Sequence, residues 1–104
     1  MTLKSGDIIL IKVQYTDTFE IKIRPALVLF EELDNVVVAG ITSNLKMQGV
    51  SLTKKEGAIK DSIIKLNYIF TISRTMVLKV FFHLNQKKKQ VVYNELLKRL
   101  ELLQ

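Results

Sequence analysis

Cysteine is absent from this 104-residue chain, and histidine occurs only once, as His83. The absence of cysteine excludes disulfide bonds, cysteine-ligated zinc sites and thiol nucleophiles. A single histidine cannot form a histidine-based metal cage. We therefore expect a protein that works without a metal ion and without a cofactor.

Long hydrophobic runs are also missing. The longest uninterrupted apolar stretches, residues 26–30 and 36–41, have the length of β-strands. They fall far short of the roughly 20 apolar residues that a membrane-spanning helix needs. The region near Met1 does not combine basic residues with an apolar stretch and a cleavage site, as a secretory signal does. We expect a cytoplasmic protein with no membrane association.

The overall composition is that of a folded domain. Hydrophobic residues make up 48% of the chain and charged residues 25%, a balance that excludes a disordered or collagen-like chain. The length allows one domain, covering residues 1–104, with one hydrophobic core. Folding of a chain of this size buries about two thirds of its surface, which suffices without disulfides.

Positive charge is in excess. Lysine and arginine total 16 against 10 acidic residues, which gives a net charge of +6 and a pI near 9.7. A small basic domain most readily binds an anionic partner, and nucleic acid is the commonest one. Excess lysine also serves to keep small proteins in solution, so charge alone leaves both interpretations open.

Apolar and β-branched runs separated by turn residues predict a mainly β protein. The run at 8–13 follows a turn signal and is typical of a strand buried on both faces near its start. The chain is then polar over residues 14–23, which we interpret as a long loop. Pro25 opens the next run, since proline is tolerated at the first residue of a strand. Further strands are predicted at 26–30, 36–41, 50–53, 63–66 and 76–84.

The periodicity changes after Asn85, a residue suited to cap a helix N-terminus. Apolar side chains then recur on one helical stripe. This pattern predicts an amphipathic helix over about residues 86–103, packed on a β-structure formed by residues 6–84. The stripe consists of Val92, Leu96, Leu100 and Leu103.

The two central strands, 26–30 and 36–41, form a predicted hairpin. If its turn is centred on Leu33, Arg24 lies directly opposite Thr42. Opposed residues of an antiparallel pair project to the same side, with Cβ atoms about 4.5–5.5 Å apart. A guanidinium group and a hydroxyl group are then neighbours where the pair ends. Arginine before proline and threonine after a strand are also ordinary turn chemistry, so the register leaves a structural role open.

Five short segments carry a family resemblance. GDI at residues 6–8, RPALVL at 24–29 and ITS at 41–43 are followed by DSII at 61–64 and IFTI at 69–72. In this order and spacing the chain resembles the MazF/PemK (Kid) toxins of type II toxin–antitoxin modules. The similarity covers nearly the whole chain.

The resemblance implies a compact SH3-like β-barrel with a terminal α-helix, usually as a homodimer. It implies a toxin that cuts single-stranded RNA, such as mRNA, at short sequences without a metal ion. It also implies an acidic antitoxin protein as partner. The family's active pair, an arginine before the proline and a threonine after the second hairpin strand, corresponds to Arg24 and Thr42.

The chemistry of RNA cleavage suits these side chains. RNA carries its own nucleophile, the 2′-hydroxyl, so forming a 2′,3′-cyclic phosphate requires charge stabilisation and proton transfer rather than an enzyme nucleophile. Arg24 can donate hydrogen bonds to the phosphate oxygens as negative charge develops. Thr42 can position the phosphate or the 2′-hydroxyl, with support from Ser43. Glu20 and Asp17, in the preceding loop, are candidates to orient the 2′-hydroxyl.

Further side chains are candidates for RNA binding. Many relatives have an arginine where this chain has Phe70, whose ring could stack on a base or pack in the core or a dimer interface. The 14–23 loop also lacks the glycine common in the family. The alternative function is therefore a non-catalytic RNA- or protein-binding module that has lost cleavage, and a third is an interaction domain that keeps only the fold. The candidates for RNA binding are Lys22, Lys46, Phe70 and Arg74.

Overall fold

Strands dominate the structure, a computed structural model that describes residues 2–14 and 20–104. Within those ranges, helix α1 (Gln86–Leu100) follows the last strand, and a 3-10 turn (Glu101–Leu103) extends it. No helix in the described part of the chain is long and apolar enough to cross a membrane. The strands are β1 (Asp7–Gln14), β2 (Ile21–Glu32), β3 (Asn35–Thr42), β4 (Val50–Leu52), β5 (Ser62–Ser73) and β6 (Val77–His83).

The six described strands form one antiparallel sheet in the order β4-β5-β3-β2-β1-β6. The sheet curls into a half-barrel, and the predicted mainly β fold with a C-terminal helix is confirmed. The strand predicted at 63–66 is longer in the structure: β5 continues to Ser73 and bends where residues 66–68 have no partner in β3. β2 begins at Ile21, inside the segment predicted as a loop.

Both faces of the sheet are covered, because neighbouring residues of the central strands point in opposite directions. Ile8 and Leu27 pack with Val92 of α1 on one side, here called the helix face. Ile9 and Val28 pack on the opposite face. Burial on both faces explains why these strands are continuous apolar runs rather than alternating ones.

The β2–β3 hairpin is tighter than predicted. Its turn consists of Leu33 and Asp34, both with positive φ, as two-residue hairpin turns of type I′ require. The first pair is Glu32 with Asn35, so the predicted pairing of Phe30 with Val36 is wrong by one residue. A bulge between Val28 and Phe30 then shifts the ladder by one, and Ala26 pairs with Gly40, as the predicted register requires. Two unpredicted features therefore cancel before the ladder reaches Arg24.

Pro25 lies inside β2 rather than at its first residue, which corrects the prediction. It pairs with Leu10 of β1, while the β2–β3 ladder ends at Ala26 and Gly40. Proline has no N–H to donate, so it is tolerated where a ladder stops. β2 therefore continues along β1 but leaves β3 just before Arg24.

The first turn of α1 is attached to the sheet by its lysines. Asn85 Oδ1 accepts a hydrogen bond from Lys88 N at 2.7 Å, the predicted N-cap. Lys88 Nζ lies 3.1 Å from Glu56 Oε2 and donates to Ser51 O. Lys89 Nζ lies 3.1 Å from His83 Nε2. These contacts offset lysines that are unfavourable at a helix start.

His83 has a structural role, because it contacts an acidic partner near the start of β1. Its Nδ1 atom lies 2.7 Å from Oδ1 of the buried Asp7, and the second carboxylate oxygen of Asp7 accepts from Lys4 N. The GDI motif therefore joins the start of β1 to the end of β6. The sequence distance between Asp7 and His83 hid this pair.

Replacing Leu33 with asparagine should stabilise the protein. Leu33 is 91% exposed and has φ 51°, a conformation that costs a leucine roughly 1–2 kcal/mol and that asparagine adopts more readily. Leu33→Asn should raise the free energy of unfolding in urea by about 1 kcal/mol. Leu33→Val, which is branched at Cβ, should lower it. Equal or reversed effects would contradict the described turn.

The Glu56 carboxylate should stabilise the protein only above acidic pH. Burial raises the pKa of Glu56, but hydrogen bonds from Thr53 and Lys88 and the positive charge of Lys88 outweigh it, so the pKa lies below its usual value. The stabilisation is present above the pKa of the unfolded chain and is lost as pH falls through the lower folded-state value.

At pH 7, Glu56→Gln should therefore have a lower free energy of unfolding in urea than the parent. The difference should be up to about 1 kcal/mol, as expected for a partly solvated ion pair. The difference should shrink as pH falls through the folded-state pKa of Glu56 and be absent once Glu56 is protonated in both states. Glu101→Gln, at an exposed position, is the control and should match the parent across the same pH range. A gap that does not shrink as pH falls would show that the charge of Glu56 is not its cause.

Candidate active site

Arg24 and Thr42 lie at the open end of the β2–β3 ladder. Arg24 is two residues beyond Ala26 in β2, and Thr42 is two residues beyond Gly40 in β3, so continuing the ladder places them opposite each other. Arg24 is held on its other side by pairing with Ile11 of β1, and Thr42 by pairing with Ile63 of β5. At these two positions, β2 is therefore paired only with β1, and β3 only with β5.

Both residues line one cavity of about 530 Å³. Arg24 is exposed, and its Nη1 atom donates to Ile23 O at 3.3 Å. Thr42 is partly buried, and its Oγ1 atom accepts from Asn44 N at 3.1 Å. Both side chains are described in full, and no hydrogen bond joins them to each other. The guanidinium group therefore has most of its donors available to a ligand.

The cavity combines apolar walls with a cationic, hydroxyl-bearing rim. Arg24 and Lys60 bring positive charge, and among the described lining residues none is acidic. Hydroxyl groups come from Thr42, Ser43 and Ser62. Such a site suits an anionic ligand with a hydrophobic part. The walls include Leu10, Pro25, Ile41, Leu52, Phe81 and Phe82.

Ser43 and Lys46 belong to the turn that follows β3. Ser43 lines the cavity beside Thr42. Asn44 organises the turn, because it donates from its backbone to Thr42 and accepts from Lys46 N at 3.1 Å through Oδ1. Lys46 is exposed and is not among the residues that line the cavity.

Glu20 and Lys22 lead into Arg24 from the N-terminal side. Lys22 Nζ lies 3.6 Å from Glu20 Oε2, and the two side chains are 42% and 59% exposed. Lys22 pairs with Val13 of β1 and lies two residues before Arg24, so it shares a face of β2 with Arg24. Asp17, the other acidic candidate, lies outside the described residues.

Phe70 and Arg74 lie away from this cavity. Phe70 pairs with Val38, is partly buried against the core, and its ring centroid is 4.9 Å from that of Tyr68. Arg74 forms an ion pair with Glu31 next to the hairpin turn. Glu31 is seven residues from Arg24 along β2, roughly 23 Å at the rise of a strand. The structure does not bring these two candidates together with Arg24 and Thr42.

Sequence reasoning missed the opposite wall of the cavity. Phe82 is placed there because it pairs with Ile8 across the β1–β6 ladder, and Phe81 is the unpaired residue of a bulge beside it. Lys60 and Ser62 come from the segment that leads into β5. DSII at 61–64 was part of the resemblance, whereas no local signal marks the two phenylalanines.

The available chemistry is binding and charge stabilisation. The cavity offers a guanidinium, an ammonium and three hydroxyl groups, and its described lining contains no histidine or carboxylate that could act as a base. In residues 2–14 and 20–104 no group of three or more histidine, aspartate or glutamate side chains could hold a metal ion. A substrate that carries its own nucleophile fits these groups best.

Comparisons with known proteins bear on the family and the fold. No curated protein matches the chain. Among solved structures, the Mycobacterium tuberculosis toxin MazF-mt6 has a similar fold, with a TM-score of 0.69, 22% sequence identity, and coverage of 85% of this chain and 89% of that one. A family model, described as the PemK-like, MazF-like toxin of type II toxin–antitoxin system, matches residues 4–100. The chain therefore belongs to the PemK-like, MazF-like family of type II toxin–antitoxin toxins.

Proposed function

We propose that this toxin is a metal-independent, sequence-selective endoribonuclease that cleaves single-stranded RNA. The observation that supports the proposal most is the presence of Arg24 and Thr42 at the rim of one cavity whose described lining is cationic and free of carboxylates. A cationic rim attracts a polyanion, and none of the described wall residues carries a negative charge that would repel it. The family membership adds an expectation of toxin activity.

The reaction forms a bond between the 2′-oxygen and phosphorus and breaks the bond between phosphorus and the 5′-oxygen. The 2′-hydroxyl loses its proton, and the departing 5′-oxygen gains one, which leaves a 2′,3′-cyclic phosphate and a 5′-hydroxyl. Arg24 donates to the phosphate oxygens as their charge grows. Arg24 therefore acts as an electrostatic group rather than as a proton donor.

Thr42 and Ser43 position the substrate through their hydroxyl groups. Thr42 Oγ1 already accepts from Asn44 N, so its own proton can be donated to a phosphate oxygen. Glu20, four residues before Arg24, is the candidate to orient the 2′-hydroxyl that lies within the described residues. Asp17 stays a prediction from the sequence. General base catalysis typically contributes about 100- to 10,000-fold, so a site without a well-placed base is slower but active.

A type II toxin has an antitoxin protein partner. The toxin's net charge of +6 favours an acidic antitoxin segment, which would compete with RNA for the cationic rim. Lys22 and Lys46 flank the two strand ends that carry Arg24 and Thr42, and we expect them to contact the RNA backbone. Cleavage of mRNA takes place in the cytoplasm, where we expect the protein to act.

Cleavage is tested by incubating the protein with long single-stranded RNA in EDTA and mapping the new ends. The parent should produce 2′,3′-cyclic phosphate and 5′-hydroxyl termini at preferred sequences. Arg24→Ala should cut at least about 100-fold more slowly, as expected for losing a donor to the developing charge. Because Arg24 is exposed, the far-UV circular dichroism and Tm should stay close to those of the parent.

Two variants of Thr42 test whether cleavage needs its hydroxyl group. Thr42→Ser keeps the hydroxyl and should retain cleavage, whereas Thr42→Val should lose most of it. Lys87→Ala, an exposed position outside the cavity, is the control for unspecific charge effects. Retarded but intact RNA with the parent would identify the alternative, a non-catalytic binding module. Unchanged cutting by Arg24→Ala would refute the role of that residue.

A second apolar groove supports the expected homodimer. It has a volume of about 540 Å³ and lies between α1 and strands β2, β3 and β5. Phe30, Ile69 and Leu100 line it and are each about half exposed. Homodimer interfaces are more apolar than the rest of a protein surface, and obligate ones resemble a core cut in half. A second copy of this chain is therefore the occupant that the groove suits.

Analytical ultracentrifugation tests this interface. The parent should sediment at twice the 12.0 kDa mass of the chain. Leu100→Lys puts an unpaired charge into the groove and should weaken the dimer at least about 10-fold. Leu102→Lys is the matched control, because Leu102 is 85% exposed and does not line the groove. A monomeric parent would exclude the homodimer, and equal effects of both variants would exclude this surface.

A further inference from the structure

We infer that Asn44 is a positioning residue for RNA cleavage and that it acts through the hydroxyl group of Thr42. The backbone N–H of Asn44 occupies one lone pair of Thr42 Oγ1, which leaves the hydroxyl proton for a phosphate oxygen. The role rests on the proposed function, because it concerns how Thr42 meets the substrate. The local sequence does not set Asn44 apart, since asparagine after a strand is ordinary turn chemistry.

Two consecutive side-chain turns join Thr42 to Lys46. Thr42 Oγ1 accepts from Asn44 N at 3.1 Å, and Asn44 Oδ1 accepts from Lys46 N, also at 3.1 Å. In each turn a side-chain oxygen accepts from the backbone N–H two residues further along the chain. Asn44 O also accepts from Met47 N at 3.1 Å. Asn44 is thus shared by all three hydrogen bonds, and its side chain helps to hold the backbone that presents its own N–H to Thr42.

Both ends of the connection between β3 and β4 are anchored on β5. Ile63 pairs with Thr42 of β3 on one side and with Ser51 of β4 on the other. Gly49, just before β4, packs directly on β5, because a Cβ atom there would overlap the carbonyl oxygen of Ile64. The connection is therefore fixed at both ends before a ligand binds, which lowers the entropic cost of holding Thr42 in place.

The occupied lone pair decides what the Thr42 hydroxyl offers to a ligand. A threonine hydroxyl has one proton to donate and two lone pairs with which to accept. The N–H of Asn44 uses one lone pair, and it strengthens the hydroxyl as a donor because hydrogen bonds in a chain polarise one another. The charged oxygens of a phosphodiester only accept hydrogen bonds, so they need a donor. Asn44 therefore prepares Thr42 for the role that a phosphate requires.

Asn44 itself lies outside the cavity whose lining includes Thr42 and Ser43. Its side chain is exposed, and it is not among the described residues that line the cavity. A residue in that place affects a bound phosphate most directly through a neighbour that does line the cavity. This placement favours a positioning role for Asn44 over a direct contact with the substrate.

Steady-state cleavage of a short single-stranded RNA in EDTA tests this role. Asn44→Ala removes the acceptor for Lys46 N and should lower kcat roughly 3- to 10-fold with little change in KM, the size of effect expected for one hydrogen bond. Asn44→Ser, whose hydroxyl can accept from the same N–H, should keep most of kcat. Asn94→Ala, at an exposed position of α1 outside the cavity, is the matched control and should equal the parent.

A double variant shows whether Asn44 acts through Thr42. In the Thr42→Val background, Asn44→Ala should have no further effect, because the hydroxyl that it positions is already gone. A loss of the same size in both backgrounds, or a raised KM with unchanged kcat, would show that Asn44 contacts RNA itself and would overturn the inference. Equal cutting by the parent and Asn44→Ala would overturn it as well and leave the ribonuclease standing.

Amide hydrogen exchange tests the two turns without relying on cleavage. Thr42→Val should speed exchange at the amide of residue 44 several-fold, and Asn44→Ala should speed exchange at the amides of residues 44 and 46, because each variant removes an acceptor. A parent that does not cut RNA would refute the proposed function, whereas these exchange rates would still support a held hydroxyl. Unchanged exchange at both amides in Asn44→Ala would overturn the inference whether or not the parent cuts RNA.

Discussion

The missing N–H of Pro25 is the constraint on which the site depends. Because proline cannot donate a hydrogen bond, β2 stops pairing with β3 at Ala26 while it still pairs with β1. The last pair of the two central strands, Ala26 with Gly40, lies two residues from Arg24 in β2 and two residues from Thr42 in β3. The gap between them becomes the cavity, and the cation and hydroxyl at its rim come from the strands that have just parted.

The fold could be predicted from the sequence where the signal is local. Apolar runs mark the strands, and the stripe from Val92 to Leu103 marks the helix, because both follow from the period of the backbone. Features set by partners far along the chain could not be predicted. The continuous strand β5, the salt bridge of Lys88 with Glu56 and the pairing of Asp7 with His83 all depend on contacts between distant segments.

The candidate site divides in the same way. Arg24 and Thr42 could be found from a register count, because both belong to one hairpin. Phe81 and Phe82 could not, since they reach the cavity through the β1–β6 ladder and a bulge in β6. Phe70 was a candidate because many relatives have an arginine at that position, and Arg74, four residues further on, because it could restore that charge. The structure places Arg74 near the hairpin turn, in an ion pair with Glu31. In a curled sheet, closeness in the sequence is a weak guide to which side chains line the same cavity.

The bulge between Val28 and Phe30 has a consequence for how this protein can change over time. The bulge compensates for the one-residue offset of the Leu33–Asp34 turn. The residues between the bulge and Arg24 therefore keep the pairing register that places Arg24 opposite Thr42. Insertions or deletions at the distal tip can therefore be absorbed by gaining or losing a bulge, while Arg24 and Thr42 at the other end keep their pairing register. The Leu33–Asp34 tip of the hairpin can therefore vary in length among related proteins, whereas the end near Pro25 cannot.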